Sequence, residues 1–186
     1  MSESSSRYAQ TGEVVEDVER LFRTYHTQLV RYLTRRLGDR DWAEEVAQET
    51  FVRALRQPAM TNERAWLFTV ANNLVRDEAR KDSRRRRHLE LMRDEQQDVQ
   101  EEEHISSLER AQEAAMARRA IEALPERDRL ALLMREEGLD YNEIAEALEL
   151  APGSVGTTLS RARRKLVESY ETLQAEMRRR EGNAAS

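Results

Sequence analysis

Apolar residues recur at helical spacing through most of the chain. Val18, Leu21, Phe22, Tyr25, Leu29, Tyr32 and Leu33 line one side of a segment from Val14 to Leu37, and Gly38 is suited to stop it. A second stripe, Ala43, Val46, Ala47, Thr50, Phe51, Ala54 and Leu55, follows Asp41, which with Glu44 three residues on reads as a helix cap. The outer side of that helix carries Glu44, Glu45, Gln48 and Glu49. Pro58 interrupts the pattern, so residues 57–62 read as a loop. A third helix begins near Glu63 and passes Arg80. Leu67, Val70, Ala71 and Leu74 point inward, which leaves Asn72, Asn73, Arg76, Asp77 and Arg80 outside. Three such helices can close one small core, so residues 14–84 are expected to form a first domain, preceded by a disordered N-terminus of residues 1–13.

Residues 85–106 are charged, poor in aromatics and unable to bury enough apolar area to order alone, and read as a flexible linker. Ser106 with Glu109 opens another helix to about Ala123. Leu124-Pro125 marks a turn, and a further helix runs to Glu137, closed by Gly138. Two short helices with a tight turn between them follow. In the first, Tyr141, Ile144, Ala145 and Leu148 make one apolar stripe, capped by Asp140 with Glu143. Glu149, Leu150 and Ala151 turn the chain, and Pro152 suits the first position of the second helix. There Val155, Leu159, Ala162 and Leu166 face inward, opposite Ser154, Thr157, Thr158, Ser160, Arg161, Arg163, Arg164 and Lys165. Small hydroxyl-bearing first turns and a basic end fit a helix-turn-helix whose second helix enters the major groove and holds phosphates. The same residues would also serve a plain helical hairpin with a solvated basic face. Residues 107–173 are thus expected to form a second domain, with 174–186 a frayed tail.

The fold class expected is therefore all-α, in two small helical domains joined by a flexible charged linker. Composition agrees: of 186 residues, 36% are charged and only 5% aromatic, with six glycines and three prolines. Without cysteine there is no disulfide framework and no thiolate metal site. His26, His88 and His104 lie in separate segments without a spaced acidic ligand set, so neither a metal, a cofactor nor catalysis is expected. The N-terminus has no apolar segment resembling a signal peptide and no run is long enough to insert in a membrane, so a cytoplasmic protein is expected. The net charge of −5 is unpromising for a DNA binder. It is, however, segregated: residues 76–87 are basic, residues 90–109 acidic, and the basic end of the last helix follows. Such a chain must meet partners of both signs.

Three fragments resemble one family, in its order and at its spacing. AEEVAQETFVRAL (Ala43 to Leu55) resembles the polymerase-binding helix of the extracytoplasmic-function sigma factors, the small initiation factors of bacterial RNA polymerase. WLFTVANNLVRDEAR (Trp66 to Arg80) resembles their promoter-melting helix, and residues 124–166 their promoter-reading domain. The resemblance implies that Glu44, Glu45, Gln48 and Glu49 dock on core RNA polymerase. It implies that Asn72, Asn73, Arg76, Asp77 and Arg80 face the −10 element, with Asn62 and Arg64 in a loop that accepts an unstacked base. It implies that Ser154, Thr157, Thr158, Arg161, Arg163, Arg164 and Lys165 read the −35 duplex. Promoter DNA, core polymerase and an anti-sigma factor are the partners this suggests, and no small-molecule substrate.

The chain departs from the family at Gly156, Thr157 and Thr158, where basic residues are common, and at Trp42, where an acidic one is usual. The first departure leaves room for a sigma-like mimic that only sequesters a regulator. A conventional helix-turn-helix repressor is a third reading, but it leaves the Gln48–Glu49 face unexplained.

Overall fold

In a computed structural model the chain is described over residues 3–57, 60–89 and 105–184, with side chains over 16–57, 60–79 and 112–179. Among the described residues there is no strand. The elements are α1 (Glu3–Leu37), α2 (Arg40–Ala54), α3 (Glu63–Leu89), α4 (Ile105–Glu122), α5 (Glu126–Glu136), α6 (Tyr141–Ala147), a 3-10 turn (Pro152–Ser154) and α7 (Val155–Ala184).

The first three helices close a core of Leu21, Leu29, Tyr32, Leu33, Ala47, Phe51, Leu67, Phe68 and Ala71, all nearly inaccessible. Burying a side chain of leucine size contributes about 1.5–3 kcal/mol, so this set is ample for a small domain. Gly38, at φ 74, turns the chain between α1 and α2. That turn leaves Asp39 extended as the cap of α2, its carboxylate accepting from the Trp42 amide at 2.9 Å. The cap is thus Asp39 and not Asp41, because the glycine fixes where the new helix can start.

Two further boundaries differ from expectation. α1 starts at Glu3, so it takes in most of the N-terminal segment expected to lack structure. α7 runs unbroken to Ala184 through the expected tail, and α3 continues to Leu89 inside the expected linker. The acidic centre of that linker, residues 90–104, lies outside the described residues.

α4, α5, α6 and α7 form the second domain around Leu130, Ala131, Met134, Leu139, Ile144, Val155, Leu159 and Ala162. The capping box is formed as the sequence suggests. Glu143 N–H donates to Asp140 Oδ1 at 2.9 Å and Asp140 N–H donates to Glu143 Oε2 at 2.7 Å. Glu149 adopts a positive φ of 53 in the turn, and its neighbour Leu150 closes it by an amide bond to Ala145 O at 2.8 Å. Pro152 then opens a 3-10 turn before α7.

The domains are not held apart. α3 packs along α6, and α1 meets α5, so the first domain lies against the helix-turn-helix unit.

Candidate nucleic-acid interface

On α7 the positions expected to meet a duplex are not equivalent. Thr157 is exposed, its hydroxyl donating to Ser154 O at 2.8 Å, while the half-buried Ser154 hydroxyl donates to Ala151 O at 2.7 Å. Thr158 is only 4% exposed, so it cannot meet DNA. It lies on the edge of the buried stripe beside Val155 and Leu159, where a small hydroxyl side chain fits and a cation would not. Arg163 is exposed. Arg164 is exposed too, with Glu168 3.7 Å away.

Arg161 and Lys165 share a counter-ion. Asp128, on α5, is 2% exposed, and its oxygens lie 2.6 Å from Arg161 Nη2 and 3.1 Å from Lys165 Nζ. The hydrogen bond from Arg161 holds the Asp128 carboxyl below its usual range, with Lys165 adding to it; burial opposes both. Asp128 was not singled out from the sequence. A signal exists: it falls at i+4 from Leu124 and i−3 from Ala131, an acid on a buried apolar stripe.

On α3 the stripe is rotated from the expected one. Ala65, Phe68, Asn72 and Val75 face the core with Leu67 and Ala71. Asn72 is therefore interior, 2% exposed, and is not available to the −10 element. Its Oδ1 accepts from Tyr32 Oη at 2.7 Å and from the Arg36 guanidinium, which is why a polar side chain is tolerated there. Burial pushes the Tyr32 hydroxyl up to about 12. Asn73 and Arg76 line a cleft of about 540 Å³, with Glu126, Arg127, Leu148 and Glu149 of the second domain opposite. Asp77 is exposed on the same helix. The Arg80 side chain lies outside the described residues. Asn62 caps α3, its Oδ1 accepting from the Ala65 amide at 3.2 Å. Arg64, expected in the base-accepting loop, instead donates from Nε to Glu143 Oε1 at 2.8 Å.

On α2, Glu45 and Gln48 are exposed, and Glu49 is exposed with Arg53 Nε at 3.0 Å. Glu44 is half-buried, its Oε2 3.2 Å from His26 Nε2. Phe22, Val52 and Leu55 expose 42%, 45% and 44% of their surface on α1 and α2, an apolar component that the sequence had assigned in part to the core. Polar and apolar groups together on one exposed surface suit a protein partner. Among the described residues there is no group of three or more metal-ligating side chains, and no helix is long and apolar enough to cross a membrane.

A small three-helix domain joined to a helix-turn-helix domain with a cationic recognition helix is the architecture of a DNA-binding transcription protein. Residues 21–85 match the family described as sigma-70 region 2, and residues 114–166 match sigma-70 region 4. The chain is 30% identical over 172 residues to RNA polymerase sigma factor YlaC of Bacillus subtilis (strain 168), covering 88% of this chain and 97% of that protein. It is 34% identical over 166 residues to the ECF RNA polymerase sigma factor BldN of Streptomyces coelicolor, covering 85% of this chain and 61% of that protein. Among solved structures, the sigma factor RpoE from Bartonella quintana, crystallised with the anti-sigma factor NepR, has the same fold. The TM-score is 0.64 at 21% identity, over 84% of this chain and 98% of that one. The chain belongs to the extracytoplasmic-function sigma factors, alternative sigma factors that bind core RNA polymerase and direct transcription initiation at promoter DNA.

Proposed function

We propose a division of labour between the two domains. The outer face of α2, with Glu44, Glu45, Gln48 and Glu49, docks on core polymerase, and the exposed Phe22, Val52 and Leu55 extend that contact. Asn73, Arg76 and Asp77 on α3 face the −10 element as it opens, with Asn62 and Arg64 at the helix start. Ser154, Thr157, Arg161, Arg163, Arg164 and Lys165 read the −35 element as duplex. Residues 14–84 and 107–173 are the functional halves. The chain holds and orients DNA while polymerase does the chemistry, and it works in the cytoplasm.

The observation that carries this reading is the surface of α7. A hydroxyl at Thr157 is exposed one turn before Arg161, and a run of cations follows, above a fully buried stripe of Val155, Leu159 and Ala162. Hydroxyls can reach base edges and cations can hold phosphates, and a helix presenting both in that order suits the major groove. We further propose an anti-sigma factor as partner, covering the apolar patch of α1 and α2 when transcription is off. Run-off transcription with core polymerase on a genomic promoter library tests the reading. Discrete transcripts that require both polymerase and this chain are expected. Specific duplex binding without polymerase, and no transcripts with it, would count against it.

A further inference from the structure

α1 and α2 flank a surface cavity of about 490 Å³ in the first domain, separate from the cleft beside Arg76. α1 supplies His26, Thr27, Val30, Arg31 and Arg35 to its walls, and α2 supplies Arg40 and Glu44. Arg31 and Arg35 stand one turn apart, about 6 Å along the helix axis. They share one acid, Glu137 of α5, which accepts from Arg31 Nε at 2.8 Å and from Arg35 Nη1 at 3.2 Å. Glu136 lies further off, 4.0 Å from Arg35. Arg31 Nη1 and Arg35 Nε and Nη2 have no partner among the described residues.

Two more groups on the walls are unspent. Arg40 has no hydrogen bond or ion pair among the described residues, because its neighbour Asp39 is committed to capping α2 at the Trp42 amide. Thr24 and Thr34 each donate to the carbonyl four residues back on α1, at 2.7 and 2.9 Å. Thr27 does not, and its hydroxyl has no partner among the described residues.

We propose that this cavity binds a phosphorylated small molecule of nucleoside diphosphate size. Arg40, Arg31 and Arg35 hold its phosphates together with Thr27, and its organic part lies along Val30 and the His26 ring. Nothing in the division of labour above calls for this site. Its effect on polymerase, however, rests on the docking face assigned to α2.

The cation count points to phosphate. Glu44 is the one acid on the walls, and it is paired with His26 at 3.2 Å. Glu137 serves Arg31 and Arg35 from outside the cavity, which leaves Arg40 unmatched. Like charges one turn apart cost stability until an anion is shared between them. One arginine fork satisfies a carboxylate, whereas the oxygens of a diphosphate accept from several forks and a hydroxyl at once.

The volume and the remaining walls point to an organic part. Cavities of roughly 300–1,000 Å³ house ligands of drug size, so this one has room beyond the phosphates. Val30, only 8% exposed, gives an apolar floor. The His26 ring is held by stacking on Phe22 at 4.2 Å and offers a flat surface suited to a base.

Glu44 joins the cavity to the docking face of α2, since it belongs to both. A bound anion beside Glu44 adds negative charge on ground that polymerase covers, so ligand and polymerase compete, each weakening the other by the same factor.

Isothermal titration calorimetry of the full chain at low ionic strength tests the site, with ADP and inorganic pyrophosphate as the molecules titrated. ADP should saturate a single site, and pyrophosphate should bind about tenfold more weakly for want of the base contact. Arg40→Ala should weaken ADP binding about tenfold or more, Arg40→Lys should restore part of it, and Thr27→Val should weaken it about threefold. Arg40 and Thr27 are exposed and unpartnered, so these variants fold as the native chain does. Saturating ADP should reduce capture of core polymerase by the native chain and not by Arg40→Ala. No saturable heat, or equal binding by native and Arg40→Ala chains, would overturn the site. Displacement of ADP by a duplex without promoter sequence would assign the cations to a DNA backbone and overturn it too. Pyrophosphate binding as tight as ADP would overturn the placement of the organic part. Arg40-dependent binding that leaves capture unchanged, while Glu45→Lys with Glu49→Lys still weakens capture, would uphold the site and the docking face and refute only the competition.

Discussion

Replacing Asp128 with Asn should steepen the salt dependence of duplex binding by about one unit. The magnitude follows from geometry. Each cation that neutralises a phosphate releases counterions and contributes about −0.9 to the slope of log K against log salt. On a 3.6-residue repeat, Arg161, Arg164 and Lys165 fall within about 100° of one another, whereas Arg163 lies about 200° from Arg161. Three cations therefore share a face. Arg164 counts in full, because Glu168 is 3.7 Å away and both side chains are exposed, by 73% and 64%. Arg161 and Lys165 do not, because the Asp128 carboxylate stays buried against both. The net is about two charges and a slope of about −1.8; with Asn it becomes three charges and about −2.7. Fluorescence anisotropy of the full chain on a −35 duplex, between about 50 and 200 mM salt, reads the slope. The interdomain ion pairs also weaken with salt, but equally in both proteins, so the difference in slope isolates Asp128. An unchanged or shallower slope in Asp128→Asn would refute the idea that this acid offsets the recognition cations.

Reversing Glu45 and Glu49 to Lys should weaken core-polymerase capture at least tenfold in a pull-down, while thermal stability changes by no more than about 0.5 kcal/mol per exposed site. Asn72→Ala should cost about 1–3 kcal/mol in denaturant unfolding, because it strands the buried Tyr32 hydroxyl and leaves the Arg36 guanidinium with Glu126 alone. Impaired promoter melting with unchanged stability would mean the side chain faces DNA after all. Thr158→Arg should lower the melting temperature without tightening DNA binding, whereas Thr157→Arg, at an exposed position, should tighten it across sequences. Asp128 is held below its ordinary pKa of 3.8 by Arg161 and Lys165, so its contribution to stability is present above that value and fades as pH falls below it. Melts taken from pH 7 downward should show the native protein losing more below about pH 4 than Asp128→Asn does.

The sequence exposes whatever is periodic and local. The stripes of α2 and α7 and the Ile144–Ala145 part of α6 emerge from apolar spacing, while Tyr141 and Leu55, expected to continue them, are exposed at the helix ends; the Asp140–Glu143 capping box emerges from two residues three apart. Residues that break a stripe mislead. Asn72 and Thr158 are polar, so they are placed outside, yet each fills a core-facing position whose hydrogen bonding or small volume the neighbours require. Asp41 has the spacing of a cap, but the turn at Gly38 assigns that role to Asp39. Nothing local reports the domain junction. Its pairs join residues 106, 90 and 79 positions apart, and an arginine row on one helix looks solvated until its acids are found.

The acids of this chain then fall into two kinds. Asp128 belongs to the same domain as the cations it holds, so separation of the domains leaves it in place and DNA always meets a partly neutralised helix. Glu137, Glu126 and Glu143 hold cations of the other domain, Arg31, Arg35, Arg36 and Arg64, of which Arg36 is also held within its own domain by Asn72. In a protein of net charge −5, Arg163 and Arg164 stay exposed on α7, so the cationic face of that helix is open while the two halves are packed together. Tethering to polymerase would raise the effective concentration of the second domain at its −35 element. Asp128 trims the charge that α7 offers to any duplex, so that tether, rather than cation count, would supply the affinity.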